Sequence, residues 1–171
     1  TILKGLAEAD VVITTGGVSV GDYDILVDLF EQWQGELLFN KIAMRPGSPT
    51  SVGVLDGKLL FALSGNPGAC HVSFELFVRP ALMKLQGIDH GFRPTFTATL
   101  TADYTKGIAF TRLIRGKSYI ENGKAFVDPV GKDQSSMMVS IKDSNCLIII
   151  PPGGRGKIAG DSVTVIQLNE R

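Results

Sequence analysis

Hydrophobic and polar positions change their spacing part-way along the chain. Up to about residue 90, short apolar runs alternate with segments of helical spacing, whereas the later residues contain only short alternating stretches. Strands alternating with helices are typical of a layered α/β domain, and closely spaced short strands are typical of a small barrel or sandwich. The pattern therefore predicts an α/β layered domain over residues 1–90 and a small all-β domain over residues 91–171.

The first domain is predicted to open with a short helical segment and a strand. The apolar, β-branched run Val11–Ile13 favours a strand buried on both faces. A glycine-rich loop follows, and a helix is predicted after Asp24. The apolar residues at helical spacing in that helix are Ile25, Leu26, Leu29, Phe30 and Trp33. Because no earlier strand precedes this run, we expect the chain to begin within a domain.

The rest of the first domain is predicted as strands over 36–44, 51–55 and 58–63 and a helix over 67–86. Asp56-Gly57 is a strong hairpin signal between the second and third of these strands. Asn66 is suited to cap the helix, Pro80 is expected to kink it and Gly87 to end it. Strands of the second domain are predicted over 95–102, 109–115, 117–120, 124–127, 146–150 and 162–168, with a hairpin turn at Asn122-Gly123.

Composition narrows the classes of partner. The 171 residues are 44% hydrophobic, and 17 basic residues balance 17 acidic ones, so there is no overall charge for binding nucleic acid or an anionic membrane surface. Cys70 and Cys146 lie far apart in apolar surroundings, which favours reduced thiols. No signal peptide and no apolar run of ~20 residues is apparent. We expect a soluble, cytoplasmic protein that binds neither nucleic acid nor membrane.

Three loops carry the candidate chemistry, over residues 14–24, 41–49 and 64–69. Each follows a predicted strand, so the loops converge if those strands share one sheet. The resulting crevice would combine glycine backbone donors, the carboxylates Asp22 and Asp24, and the cations Lys41 and Arg45. This mixture suits a phosphorylated ligand held with Mg²⁺. The alternative is that Asp22 only caps a helix and the glycines only turn the chain.

The three loops resemble one family in order and in spacing. The sequences TTGGVSVGDYD, KIAMRPGSP and LSGNPGACHVSFELFVRPAL are similar to motifs of the molybdopterin molybdenumtransferase family, which includes bacterial MoeA and the E domain of gephyrin. QSSMMVSIKDSNCLIIIPPGG and AGDSVTVIQL are similar to its last domain. The resemblance implies an N-terminally truncated molybdopterin-binding domain of the MoaB/MogA-like fold, followed by a β-barrel-like domain.

The resemblance also implies a reaction. Molybdate is inserted into adenylylated molybdopterin, AMP is released and Mg²⁺ assists, in a homodimer. Asp24, Lys41 and Arg45 match functional residues of the family, and Asp24 with Asp22 would hold the metal. The positions implied to bind the cofactor are Thr15, Gly16, Gly17, Ser19, Gly21, Asp22, Pro46, Gly47, Ser48, Gly65, Asn66, Pro67, Arg112 and Ser136.

Some positions depart from the family pattern. Ser48 replaces a common lysine, Ser64 replaces a usual proline, and Gly68-Ala69 lack a frequent serine. Since the family's N-terminal domains do not match this chain, we expect the chain alone to be inactive. Two alternatives stay open. One is a molybdopterin adenylyltransferase, against which the added β-domain argues, and the other is a non-catalytic scaffold like gephyrin, which uses an apolar groove for a partner.

Overall fold

The computed structural model describes residues 2–16, 35–105, 109–130 and 139–168. The first part comprises α1 (Ile2–Glu8), β1 (Val11–Thr15), β2 (Glu36–Asn40), β3 (Met44–Arg45), β4 (Ser51–Leu55), β5 (Lys58–Leu63) and one long helix. The long helix consists of α2 (Pro67–Ser73), a π turn (Phe74–Val78) and α3 (Arg79–Leu85). The second part comprises β6 (Thr95–Leu100), β7 (Thr111–Glu121), β8 (Lys124–Pro129), α4 (Val139–Asp143), β9 (Cys146–Ile150) and β10 (Ser162–Gln167).

The first part is built on a mixed four-stranded sheet of order β1-β5-β4-β2. β1 runs parallel to β5 and pairs Thr15 with Leu63, whereas β4 runs antiparallel to both β5 and β2 and pairs Ser51 with Ala62 and Asn40. The carboxyl ends of β1, β5 and β2 therefore lie at one edge, together with the start of β4. We call this the loop edge, because all three candidate loops begin or end there.

Helices cover the two faces of this sheet. The long helix packs on one face, where Phe61, Leu63 and Val78 are buried together. α1 packs on the other, where Leu6 and Leu60 are buried. Burying apolar side chains on both faces is what layers the domain.

The second part is a closed five-stranded barrel. Its strands follow the order β7-β8-β6-β10-β9, and β9 pairs back to β7. The interior is apolar and includes Leu100, Val127, Ile148 and Val165, each at most 1% exposed. Gly116 lies in the middle of β7, where a Cβ atom would stand 2.9 Å from Ile148 and Val127 side-chain atoms. The long strand therefore passes this point only because the residue lacks a side chain.

The two parts meet along an extended junction. β3, from the first part, pairs in parallel with the barrel strand β7. The long helix packs against the outside of the barrel, and the buried residues of this contact are Met44, Val72, Leu113, Leu147, Ile166 and Leu168. An ion pair between Arg93 Nε and Glu75 Oε2, 2.8 Å apart and largely buried, adds to it.

Several elements differ from the sequence-based prediction. The strand expected over 36–44 ends at Asn40, because Lys41 adopts a left-handed backbone with φ of 69°. The two strands expected over 109–120 are the single strand β7. The kink expected at Pro80 stays a prediction: the helix continues through this proline, and a π turn, which changes the register of the helix, directly precedes α3.

Strand β1 is more exposed to solvent than predicted, because the sequence favours a strand buried on both faces. Ile13 is 39% exposed, and within the described residues β1 has a strand partner on one side only. The predicted helix after Asp24 falls outside the described residues. No helix in the part of the chain that the structure describes is long and apolar enough to cross a membrane.

Candidate functional site

The first and third candidate loops touch at the loop edge. Gly16 donates its N–H to the Leu63 carbonyl across 3.0 Å, which continues the β1–β5 ladder into the glycine loop. A Cβ atom at Gly65 would stand 3.1 Å from the Cα of Gly16. The two loops are thus in backbone contact. A side chain at position 65 would push them apart, so glycine suits this position.

Asn66 caps the long helix, as predicted. Its side-chain oxygen accepts from the N–H groups of Gly68 and Ala69 at 3.1 and 3.2 Å, and Pro67 occupies the first helical position. This capping commits two donors that would otherwise be open to an anion. The cofactor contact predicted for Asn66 and Pro67 stays a prediction beside this structural role.

The second loop is seated against the long helix. Gly47 is buried with φ of +98°, and a Cβ atom there would stand 2.6 Å from Met44 Cε and 2.7 Å from Ser73 Oγ. Thr50 donates its hydroxyl to the Gly47 carbonyl across 2.8 Å. The Ser48 carbonyl accepts from the Ile42 N–H at 2.9 Å, which closes the loop on itself. The loop is therefore a fixed part of the loop edge.

Lys41 stands at the entrance of that loop with an unusual backbone. Its φ of 69° is rare for a residue with a long side chain, and its N–H donates to the Thr50 carbonyl across 3.1 Å. The residue itself is exposed. The backbone therefore turns at Lys41 and leaves the path that a continued strand would follow.

The structure places Arg45 beside Arg112. The two residues are register partners across the parallel pair β3–β7, so their side chains leave the same face of the sheet. The Arg45 guanidinium also lies over the ring of Phe110, with 5.3 Å from its carbon to the ring centroid, a cation–π contact. Two arginines, one from each part of the molecule, thus occupy adjacent register positions on one face of the sheet, which suits binding of an anion with more than one charge.

Contacts link several of the predicted positions that the structure describes into one rim. Gly16 touches Gly65, the helix that follows Gly65 touches Gly47, and Arg45, two residues before Gly47, pairs with Arg112. Thr15 ends β1 at the same edge, and Pro46 follows Arg45 through a cis peptide bond. The predicted positions that lie outside the described residues are Gly17, Ser19, Gly21, Asp22, Asp24 and Ser136.

The predicted magnesium site rests on Asp22 and Asp24, which fall outside the described part of the chain. Within the described residues, no group of three or more His, Cys, Asp or Glu side chains is arranged to hold a metal ion. The described residues alone therefore do not supply a Mg²⁺ site. Cys70 and Cys146 are free thiols, as predicted, and burial raises the pKa of each.

The sequence-based prediction named no polar cluster at the junction, but the structure places one there. His71 and Glu75 lie on the long helix, facing Arg93 of the linker and Arg115 of β7. Burial lowers the pKa of His71 below its ordinary value of 6.5; the Glu75 carboxylate opposes this, and Arg115 and Arg93 add to it. Burial also lowers the pKa of Arg115. The spacing of His71 and Glu75, one helical turn apart, is the only sequence signal for the cluster.

Two cavities lie away from the rim. One of about 920 Å³ lies beside the outer end of β7 and is lined by Arg93, Lys117, Tyr119 and Lys142 among others. The second, of about 350 Å³, is an apolar groove between β2 and the long helix, lined chiefly by residues such as Leu38, Phe61, Phe77 and Phe92. None of the predicted site residues lines either cavity, so neither contributes to the rim.

Comparison with known proteins gives a family match for each part of the chain. Residues 1–84 match the family model described as a probable molybdopterin binding domain, and residues 97–168 match the MoeA C-terminal region, domain IV. The molybdopterin molybdenumtransferase of Staphylococcus aureus (strain COL) is 47% identical over 165 residues, which is 96% of this chain and 39% of that protein. The enzyme of the same name from Staphylococcus epidermidis is 48% identical with the same coverage.

Solved structures give the same picture. The molybdopterin biosynthesis MoeA protein from Pyrococcus horikosii superposes with a TM-score of 0.77 at 28% identity, covering 99% of this chain and 40% of that one. A molybdenum cofactor biosynthesis protein from Pyrococcus furiosus gives 0.70 at 27% identity, covering 97% and 52%. The fold and the matched domains define a molybdopterin-binding domain joined to a MoeA-type barrel.

The chain belongs to the molybdopterin molybdenumtransferase family. It spans about two fifths of the length of the curated relatives that it matches, 39% in each of the two cited above.

Proposed function

We propose that this chain forms the part of a molybdopterin molybdenumtransferase that receives molybdate and inserts it into adenylylated molybdopterin, with release of AMP. The observation that carries the proposal is the placement of Arg45 next to Arg112 at the junction of the two parts. Two cations at adjacent register positions, whose side chains leave one face of the sheet, can bind the same anion through charge-assisted hydrogen bonds. Molybdate is a small dianion, which fits such a pair.

The glycines of the rim are proposed to receive the phosphate-bearing pterin. Gly16 and Gly65 lie backbone to backbone, so no side chain at either position keeps a ligand from the main chain there, although the Gly16 N–H itself bonds the Leu63 carbonyl. Lys41, held in its left-handed conformation at the same edge, adds a cation. Fixed donors of this kind stabilise developing negative charge without reorganising.

The remaining assignments follow from the resemblance. We propose that Asp24, assisted by Asp22, holds Mg²⁺, since carboxylate and phosphate oxygens are its preferred ligands. Ser136 and the other positions of the glycine loop are proposed to complete the anion contacts. A homodimer in the cytoplasm is part of the same proposal.

The proposal is tested by molybdate binding. Equilibrium dialysis of this chain with molybdate is expected to show binding that weakens by about tenfold or more in Arg45→Gln and in Arg112→Gln, the loss of one charge-assisted contact. Arg155→Gln is the matched control, because Arg155 is an exposed arginine in the turn after β9 and is expected to leave binding unchanged. Equal binding by all four proteins would contradict the proposed oxyanion site.

Catalysis needs a second measurement, because the chain covers only part of its relatives. In the Staphylococcus aureus enzyme, the 165 matched residues are replaced by this chain, and AMP release from adenylylated molybdopterin is followed with and without molybdate. We expect molybdate-dependent release that Asp24→Ala abolishes. Full turnover in the Asp24→Ala chimera would sink the catalytic assignment, and molybdate binding without release would favour the scaffold alternative.

A further inference from the structure

Two hydroxyl groups with no exposure to solvent lie beneath the second candidate loop. Thr50, the residue before β4, and Ser73, the last residue of α2, are both 0% exposed. Their oxygens lie 2.7 Å apart, although the residues are 23 positions apart in the chain. Buried hydroxyls need hydrogen-bond partners, and each of these finds its partner in the other element.

The direction of the hydrogen bonds follows from the number of protons. Thr50 has one hydroxyl proton and donates it to the Gly47 carbonyl across 2.8 Å. The Ser73 hydroxyl must therefore donate to the Thr50 oxygen. A single chain of donors thus runs from the long helix through Thr50 to the backbone of the loop.

The loop fits onto Ser73 without spare room. A Cβ atom at Gly47 would stand 2.7 Å from Ser73 Oγ and 2.6 Å from Met44 Cε. Only Pro46, whose φ is fixed by its ring, separates Gly47 from Arg45. Gly47 and Arg45 are thus two residues apart with one restrained φ between them, so the seat of Gly47 on the long helix restricts where the backbone of Arg45 can lie.

The same segment is held from its other side by the barrel. Met44 and Arg45 pair with Thr111 and Arg112 of β7. The hydroxyl pair ties the loop to the first part of the molecule, and β3 ties it to the second. The loop carrying Arg45 thus has a fixed position relative to both parts only when both ties are made.

We infer that Thr50 and Ser73 are positioning residues that fix the loop of residues 45–49, and with it the Arg45 guanidinium, for oxyanion binding. This inference rests on the proposed function and deepens it, since it names the residues that hold the molybdate-binding cation in place. Neither hydroxyl contacts the oxyanion. Both act through Gly47.

The test separates the hydroxyl group from the volume of the side chain. Thr50→Val keeps the shape and removes both hydrogen bonds, Thr50→Ser keeps the hydroxyl, and Ser73→Ala removes the outer donor alone. Thr101→Val is the control for loss of a threonine hydroxyl away from the loop, because Thr101 is exposed in the barrel, where its hydroxyl bonds the Val127 carbonyl and the Asp128 carboxylate. Each variant of this chain is measured by equilibrium dialysis with molybdate and by amide hydrogen exchange.

Amide exchange in the loop and molybdate binding are expected to change together. In Thr50→Val, exchange at the Ile42 amide, which bonds the Ser48 carbonyl inside the loop, should rise about tenfold, and molybdate binding should weaken about tenfold. Exchange along β5 should not change. Ser73→Ala should give a smaller change of the same kind, and Thr50→Ser and Thr101→Val should match the unaltered chain.

Three results would overturn the inference. Thr50→Val could bind molybdate as well as the unaltered chain does, Thr50→Ser could be impaired as much as Thr50→Val, or the Ile42 amide could keep its exchange rate in Thr50→Val. If the unaltered chain binds no molybdate, the proposed function fails, and Ile42 exchange alone then decides whether the hydroxyls fix the loop.

Discussion

The barrel and the mixed sheet differ in how the edges of their strands are paired. In the barrel, β9 pairs back to β7, so the ladder closes and the interior residues are almost wholly buried. In the sheet, the outer strands β1 and β2 have one strand partner each among the described residues, and Ile13 and Leu37 are 39% and 41% exposed. The ladder of the barrel is closed, with β3 added beside the start of β7, whereas the described part of the sheet has strands paired on one side only.

This difference indicates that the barrel chiefly supports stability, whereas the sheet part chiefly carries the predicted site. A closed ladder with an apolar interior is stable in itself and leaves few unpaired backbone N–H and C=O groups along strand edges. The open sheet gathers three loops at one edge and carries most of the predicted site. The barrel contributes one described site residue, Arg112, at the start of β7. We therefore expect core changes in the barrel to affect stability most, and loop changes in the sheet part to affect binding most.

The largest expected effect is in the barrel core. Ile148→Ala should lower the free energy of unfolding by about 3–4 kcal/mol, because it removes a fully buried side chain and leaves a cavity. Leu37→Ala in the open strand β2 should cost less than about 1 kcal/mol. Urea unfolding followed by circular dichroism measures both. Similar losses in the two variants would show that the contrast between the regions is wrong.

An intermediate effect is expected in the loop itself. Gly47→Ala should lower the free energy of unfolding by about 2–4 kcal/mol, the sum of a left-handed backbone penalty and overpacking. Gly57→Ala is matched to it, since Gly57 also has positive φ but has no atom within 4 Å of its Cβ position. Gly57→Ala should cost only about 1–2 kcal/mol.

The two glycine variants also separate binding from stability. Molybdate binding, measured by equilibrium dialysis under conditions where both variants are folded, should weaken only in Gly47→Ala. If Gly47→Ala and Gly57→Ala have the same free energy of unfolding and bind molybdate equally, the close packing of the loop against Ser73 contributes to neither.

The smallest effect concerns pH and the junction between the regions. The pKa of His71 is lowered in the folded protein, so the unfolded chain binds more protons in the range below the ordinary value of 6.5. Stability should therefore decrease as the pH falls through that range, and His71→Gln should reduce this decrease. Thermal unfolding from about pH 7.5 to about pH 5.5 tests it. An unchanged pH dependence in His71→Gln would exclude His71 as the source.

Much of the local structure could be predicted from the sequence because local rules decide it. Asp56-Gly57 and Asn122-Gly123 have positive φ at both positions, which is the hairpin turn that the sequence predicts. Asn66 caps the helix, and Gly87, with φ of +80°, follows its end. Each of these features depends on a residue and its immediate neighbours.

The features that sequence reasoning missed depend on distant partners. β3 has two residues and pairs with a strand more than sixty positions away, so no hydrophobic period marks it. The predicted strand ends at Lys41 because that residue adopts a left-handed backbone, with φ of 69°, as the chain enters the loop that packs on the long helix. The meeting of the loops at one edge followed from the order of strands and loops, but the placement of Arg45 beside Arg112 required the observed register.

The two-residue ladder between β3 and β7 makes the guanidinium pair a shared property of both halves of the chain. A cut in the linker over residues 87–94 would leave Arg45 on one polypeptide and Arg112 on the other. When the two fragments are mixed, oxyanion binding would measure their association. A site that contains both arginines forms only when the fragments reassemble.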